Sequence, residues 1–142
     1  MAEKSRIGKF EQCVIREFGS FELHELTRPL ADMGFFTAPS SRKYHGSYEG
    51  GLFDHSFMVM RYLVDLTNRN GLKWERGKIS PFIVGMFHDL CKADSYVYIP
   101  DDAGKGHYEH NNDTLITGHG DKSVMLLSSL IKLTMEEVAC IR

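Results

Sequence analysis

The chain has 142 residues, of which 42% are hydrophobic and 25% are charged, and its formal net charge is −2. This length suits one domain that buries its own core, and the near-neutral charge does not favour a general nucleic-acid binder or a membrane-surface protein. The three cysteines are widely spaced without a C-x-x-C pair, and no signal-peptide core or long apolar run occurs, so we expect a cytoplasmic protein with reduced thiols and no membrane partner.

The N-terminal quarter predicts two helical segments within residues 3–34, packed on the rest of a single domain. Ser20 is a suitable N-cap for the second segment, Pro29 should kink or divide it, and Gly34 should end it. Residues 35–51 lose helical periodicity and predict a long loop rich in aromatic residues and glycines. Loops of this length in compact domains often carry function.

A long helix is predicted from about Leu52 to Asn70. One face of it carries an apolar stripe at helical spacing, made of Leu52, His55, Val59, Tyr62, Leu63 and Leu66. His55 is therefore expected on the buried face, where a lone histidine is more often a core residue than a ligand. Asp54 lies in the first turn, where an acid complements the helix dipole.

The apolar run from Pro81 to Leu90 predicts a buried helix that contains His88 and Asp89, with Ser80 as its N-cap. Burying a histidine and an ionised aspartate is costly unless partners compensate. The partner is either another side chain or a metal ion. Lys92 lies on the same helix face, and it either pairs with Asp89 or binds an anionic substrate.

The last third of the chain predicts a small β-hairpin near residues 96–111, followed by two helices. His119 lies between two glycines at the entry to the first of these helices. Thr134 and Glu137 form a capping box at the start of the second, in which the chain stops at Arg142. The expected fold class is all-α, a bundle of about six helices with the hairpin as an excursion.

A helical bundle can direct side chains from three helices to one interior point, here His55, His88 with Asp89, and His119. Imidazole and carboxylate ligands without thiolates favour manganese, iron, cobalt, nickel or zinc over magnesium. Because Lys92 would place a cation beside such a site, phosphate is the obvious anionic partner. The pattern therefore predicts one or two divalent metal ions next to a phosphorylated substrate.

The motifs GGLFDHS, FHDLCK and GHGDKS, in this order, resemble the HD-domain superfamily of metal-dependent phosphohydrolases. The motif sequences are most similar to those of small bacterial and phage HD hydrolases. They are next most similar to those in the HD domain of certain bacterial 3′-to-5′ exoribonucleases. The resemblance implies an HD-domain helical bundle in which His55, His88 and Asp89 bind a metal ion. It also implies that His119 matches a histidine of members with two metals, and that Lys92 meets the substrate phosphate.

The resemblance extends more loosely to the aromatic loop, where Arg42, Lys43 and His45 correspond to a segment that lines the substrate pocket in such enzymes. Asp54 is a weaker candidate for proton transfer near the attacking water. The family supplies a further histidine and a closing aspartate from later helices, and neither has a counterpart before Arg142. The C-terminal part of the HD fold is therefore expected to be truncated.

The expected function is hydrolysis of a phosphate ester of a nucleotide or a related small molecule by a metal-activated water. One alternative is a phosphodiesterase or exonuclease acting on RNA, single-stranded DNA or a cyclic nucleotide. Tyr44, Tyr48, Phe35 and Phe36 would then stack bases, although aromatic residues at the base of a loop more often fill the core. The other alternative is a truncated, non-catalytic HD module that binds metal or nucleotide.

Overall fold

The computed structural model describes residues 2–44 and 46–142, and it is mostly helical with one small antiparallel sheet. The described residues form α1 (Glu3–Gln12), α2 (Phe21–His24), α3 (Thr27–Met33), α4 (Gly51–Asn70), α5 (Ile79–Phe87), β1 (Tyr96–Pro100), β2 (Gly106–His110), α6 (Gly120–Ser128) and α7 (Met135–Ile141). A π-helical turn, Cys13–Glu17, follows α1, and a 3₁₀ turn, Leu90–Asp94, follows α5. None of these helices is long and apolar enough to cross a membrane. The predicted helical body with a hairpin excursion is thus observed.

The second N-terminal helical segment begins and ends where the sequence predicts. Ser20 caps α2, because its side-chain oxygen accepts a hydrogen bond from the Leu23 amide at 3.1 Å. Gly34 ends α3 with a φ of 92°, a left-handed conformation that glycine adopts without a steric cost. Pro29 lies in the first turn of α3, where its missing amide hydrogen is not needed, and the division between α2 and α3 precedes it.

Phenylalanine rings fill the centre of the core. Phe35 and Phe36 are fully buried, and both pack on Phe53 of α4, with ring centroids 5.9 and 5.4 Å apart. The hypothesis that Phe35 and Phe36 stack bases is therefore wrong, since neither ring reaches the surface. Other fully buried rings complete the cluster: Phe10, Phe82 and Phe87.

Helices α4 and α5 make the most extensive contact of the body, and a glycine allows their close approach. A Cβ atom on Gly85 of α5 would lie 2.5 Å from the Cα atom of Met60 of α4. No larger residue fits at this distance without moving a helix. This close packing places His55, which precedes Met60 by about one turn, beside His88, which follows Gly85.

The buried face of α4 differs from the predicted stripe. Leu52 is fully buried as predicted, but Tyr62 and Leu66 are 68% and 52% exposed. Other residues facing the core lie outside the predicted stripe: Phe53, Ser56, Phe57, Met60 and Thr67. The large rings of Phe53 and Phe57 bury more apolar area, and they set the rotation of the helix. His55 therefore lies at the edge of the core, with a side chain that is 26% exposed.

Helix α5 also differs at both ends from the prediction. It begins at Ile79 with Lys78 at the N-cap position, and the Ser80 hydroxyl donates to Glu137 Oε2 at 2.7 Å instead of capping the helix. It ends at Phe87, so His88 and Asp89 lie in the break before the 3₁₀ turn and not inside the helix. At the start of α5, the hydrogen bond from Ser80 to α7 replaces the local cap. At its end, a hydrogen bond from Ser123 to the His88 carbonyl oxygen accounts for the break.

Candidate metal centre

The Asp89 carboxylate is the centre of a small polar cluster. Its Oδ2 atom lies 3.5 Å from His55 Nε2, 3.4 Å from His88 Nε2 and 3.3 Å from Lys92 Nζ. Ligand atoms of His55, His88 and Asp89 all lie within 4.8 Å of one another. The structure thus brings together three of the four residues that the sequence predicts as metal ligands.

The imidazole of His88 is oriented by the main chain. Its Nδ1 atom lies 2.8 Å from the carbonyl oxygen of Gly85, which accepts a hydrogen bond from it. In the neutral imidazole this bond places the proton on Nδ1 and leaves the lone pair of Nε2 directed toward the cluster. Hydrogen bonds of this kind fix the tautomer and the ring angle of metal-binding histidines.

The cluster also sets the charges of its members. Burial alone would raise the pKa of Asp89, but His88 and Lys92 outweigh it and lower that pKa to about 2. Burial alone would lower the pKa of His88, but the hydrogen bond and the charge of Asp89 outweigh it and raise that pKa above its ordinary value. Asp89 is therefore an ionised oxygen donor throughout the physiological pH range.

The break that carries His88 and Asp89 is held by Ser123, a fully buried residue of α6. Its hydroxyl donates to the His88 carbonyl oxygen at 3.1 Å and accepts a hydrogen bond from the Cys91 amide at 2.9 Å. The adjacent Lys122 is also buried and pairs with Asp94 of the 3₁₀ turn. Ser123 therefore satisfies backbone groups at the end of α5, and Lys122 joins α6 to the turn that follows.

Lys92 forms the ion pair with Asp89 that was one of its two predicted roles, and its side chain is 26% exposed. His119 lies at the N-cap position of α6, where it is exposed, and it does not belong to the three-residue group. The structure therefore brings the first two histidine motifs together but leaves the third histidine at the surface.

Asp54 is engaged by two partners that the sequence did not indicate. Its carboxylate accepts hydrogen bonds from Arg6 Nε at 3.0 Å and Nη2 at 3.1 Å, and from the Tyr48 hydroxyl at 2.8 Å. Burial alone would raise the pKa of Asp54, but the bonds from Arg6 and Tyr48 outweigh it and lower that pKa. Asp54 thus holds the buried Arg6 of α1 at the start of α4.

A cleft of about 890 Å³ lies between the aromatic loop and the hairpin. Arg42 and Lys43, the predicted substrate-binding residues of the loop, both line it, and Arg42 pairs with Glu109 of β2 at 3.2 Å. His45, which was predicted with them, lies outside the described residues. Tyr48 lines this cleft and also a smaller pocket of about 240 Å³ that contains His55. The two cavities therefore adjoin at Tyr48.

The sequence analysis did not identify three groups of residues around the centre. They are Arg6, which pairs with Asp54; Ser123, which bonds the His88 carbonyl oxygen; and the tyrosines of the hairpin. Arg6 and Ser123 act over 48 and 35 positions of the chain, a separation that no local pattern reveals. The tyrosines had a usable signal, since the alternation Tyr96-Val97-Tyr98-Ile99 puts both rings on one face of a strand.

No protein-family model, curated protein or solved structure matches the chain. Its function is therefore inferred from the residues of this centre and the cavities beside it.

Proposed function

We propose that this chain is an HD-type metal-dependent phosphohydrolase that hydrolyses a phosphate ester of a nucleotide or a related small molecule. The observation that carries the proposal is the approach of His55 Nε2 and His88 Nε2 to within 3.5 and 3.4 Å of one oxygen of Asp89. The proposal is also supported by the order and sequence of the three histidine motifs, which resemble those of HD hydrolases.

The residues present fit a divalent ion. Two imidazole nitrogens and one ionised carboxylate match the ligands that first-row divalent metals prefer, and Gly85 already orients one of the imidazoles. His55, His88 and Asp89 would hold one ion. When bound, the ion would supply an activated water as nucleophile and neutralise charge on the phosphoryl oxygens.

The remaining groups of the chain would bind and orient the phosphate. Lys92 is suited to this role because its ammonium group lies beside the cluster and is partly exposed. Lys43 adds positive charge along the adjoining cleft, beside Arg42, which is paired with Glu109. We assign Asp54 to positioning and not to proton transfer, since Arg6 and Tyr48 occupy its carboxylate.

The test is release of inorganic phosphate from a panel of nucleoside monophosphates, assayed with each of manganese, iron, cobalt, nickel and zinc. We expect Asp89→Asn to abolish metal-dependent release, and Lys92→Gln to lower kcat/KM by about 100-fold while the metal content stays unchanged. Lys105→Gln, in the exposed hairpin turn, is the matched control for loss of a lysine. Full activity of Asp89→Asn would contradict the proposal.

A second candidate is a phosphodiesterase acting on RNA, single-stranded DNA or a cyclic nucleotide. The volume of the cleft and its tyrosine lining favour it, because aromatic rings stack on nucleobases of any sequence. Short oligonucleotides and cyclic nucleotides belong in the same panel and separate the two activities. Metal binding without hydrolysis of any member of the panel would identify a non-catalytic module instead.

A further inference from the structure

We propose that the tyrosine face of the β-hairpin is a nucleobase-binding site, which selects substrates that carry an aromatic base for the adjoining metal centre. The inference rests on the proposed function and adds the substrate class to it. Its components are Tyr96 and Tyr98 of β1 and Tyr108 of β2, all of which line the 890 Å³ cleft.

Strand register places these tyrosines on one face. Tyr98 pairs directly with Tyr108, and Tyr96 pairs with His110 two positions along. Because side chains alternate between faces and cross-strand partners share one, the three rings point to the same side of the hairpin. The rings of Tyr98 and Tyr108 meet edge to face, with centroids 5.5 Å apart and an interplanar angle of 64°.

The hairpin leaves the Tyr98 ring accessible. Tyr98 is 53% exposed, and its ring lies over Gly106, where a Cβ atom would come 2.1 Å from the ring carbon Cζ. A glycine at this position lets the ring lie flat along the strand. An exposed aromatic face inside a cleft is a stacking surface, since every nucleobase presents a π-face of similar size.

The opposite wall of the cleft carries two cationic side chains, one of them paired with Glu109, and one carboxylate, Glu49. Arg42 and Lys43 lie on the loop that faces the hairpin, and Tyr48 adds a further half-exposed ring. Aromatic surface and cationic side chains together match a ligand that is both planar and anionic. The cleft volume lies within the roughly 300–1,000 Å³ that is usual for small-molecule sites.

Two residues of the cleft lie next to parts of the metal centre. Ala93, which lines the cleft, directly follows Lys92 in the 3₁₀ turn. On the other side, Tyr48 lines both the cleft and the pocket that contains His55. In this arrangement, a base held against Tyr98 would direct its attached phosphate toward the side of the cleft that borders Ala93 and Tyr48.

The experiment is calorimetric titration of the full chain, in buffer with a chelator, with the four nucleoside 5′-monophosphates and with ribose 5-phosphate. We expect at least one nucleotide to bind about 10-fold or more tightly than ribose 5-phosphate. Tyr98→Leu should weaken nucleotide binding by about 5- to 100-fold and leave ribose 5-phosphate binding unchanged, as expected for loss of one stacking contact. Gly106→Ala, which displaces the same ring, should act in the same direction.

The matched control is Tyr62→Leu, which removes a still more exposed tyrosine from α4 away from the cleft. Equal affinity for nucleotides and ribose 5-phosphate, or equal effects of Tyr98→Leu and Tyr62→Leu, would overturn the inference. Metal content and phosphate release are measured on separate samples. Hydrolysis without base preference overturns this inference alone, whereas base preference in a protein that binds no metal overturns the proposed function alone.

Discussion

The hydroxyl of Ser123 donates a hydrogen bond to the main-chain carbonyl oxygen of His88, across a distance of 3.1 Å. Because the same hydroxyl accepts from the Cys91 amide, one buried side chain fixes the backbone on both sides of Asp89. Helix α6 is thereby joined to the turn that carries two of the proposed metal ligands.

We predict that Ser123→Ala lowers the free energy of unfolding by about 1–3 kcal/mol, because it leaves a buried amide without its acceptor. Metal affinity should fall by about 10- to 100-fold, as is usual when a group that orients a ligand is removed. Denaturant unfolding and metal titration measure the two effects. Ser129→Ala, at an exposed position after α6, should change neither; unchanged affinity in Ser123→Ala would show that Ser123 only stabilises the fold.

We predict that Gly85→Ala separates α4 from α5, since the added methyl group would lie 2.5 Å from the Met60 Cα atom. The free energy of unfolding should fall by about 1–3 kcal/mol, and metal affinity should fall because His55 and His88 move apart. Gly8→Ala is the matched control: a Cβ atom there meets nothing within 4 Å in the middle of α1, so we expect stabilisation by roughly 0.5–1 kcal/mol. Wild-type stability in Gly85→Ala would contradict the close helix contact.

We predict that stability depends on pH through Glu137, a fully buried carboxylate that accepts hydrogen bonds from Arg76 and Ser80. Burial alone would raise the pKa of Glu137, but the bonds from Arg76, Thr134 and Ser80 outweigh it and lower that pKa. A carboxyl group with a lowered folded-state pKa contributes stability at neutral pH that is lost as the pH falls through that pKa.

Glu137→Gln should therefore destabilise the chain at pH 7 by about 1.5–3 kcal/mol, and the difference from wild type should shrink toward pH 3. Urea unfolding at several pH values measures it, with the exposed Glu22→Gln as control. A difference that stays constant between pH 7 and pH 3 would rule out an ionised Glu137 as the source.

We predict that Arg6 and Asp54 act as one unit that fixes α1 to the start of α4. Asp54→Asn and Arg6→Met should each cost about 1–3 kcal/mol of unfolding free energy, and the double variant should cost clearly less than their sum. A double-mutant cycle gives the coupling energy directly. If Asp54→Asn instead abolished phosphate release at wild-type stability, with Arg6→Met active, Asp54 would transfer protons.

Local signals in the sequence predict the secondary structure of this chain well. The Thr134–Glu137 capping box and the Ser20 cap depend on residues within a few positions of one another, and both are observed. The hairpin predicted near residues 96–111 is observed as well. Such features follow from hydrogen bonds that a short peptide can already make.

Features that depend on packing were predicted less well. The rotation of α4 follows the bulk of Phe53 and Phe57, which a simple apolar spacing does not weigh. The end of α5 at Phe87 depends on Ser123, which is distant in sequence and supplies hydrogen bonds outside the helix. His55, His88 and Asp89 were nevertheless identified as neighbours, because their motifs were interpreted together.

The most direct test of a metal centre is the metal content of the purified full chain after loading and desalting. We expect about one first-row divalent ion per chain in the wild type and in the control His24→Ala, whose imidazole pairs with Glu11 instead. His55→Ala, His88→Ala and Asp89→Ala should each lose the ion. Undiminished metal content in both His88→Ala and Asp89→Ala would contradict the proposed centre.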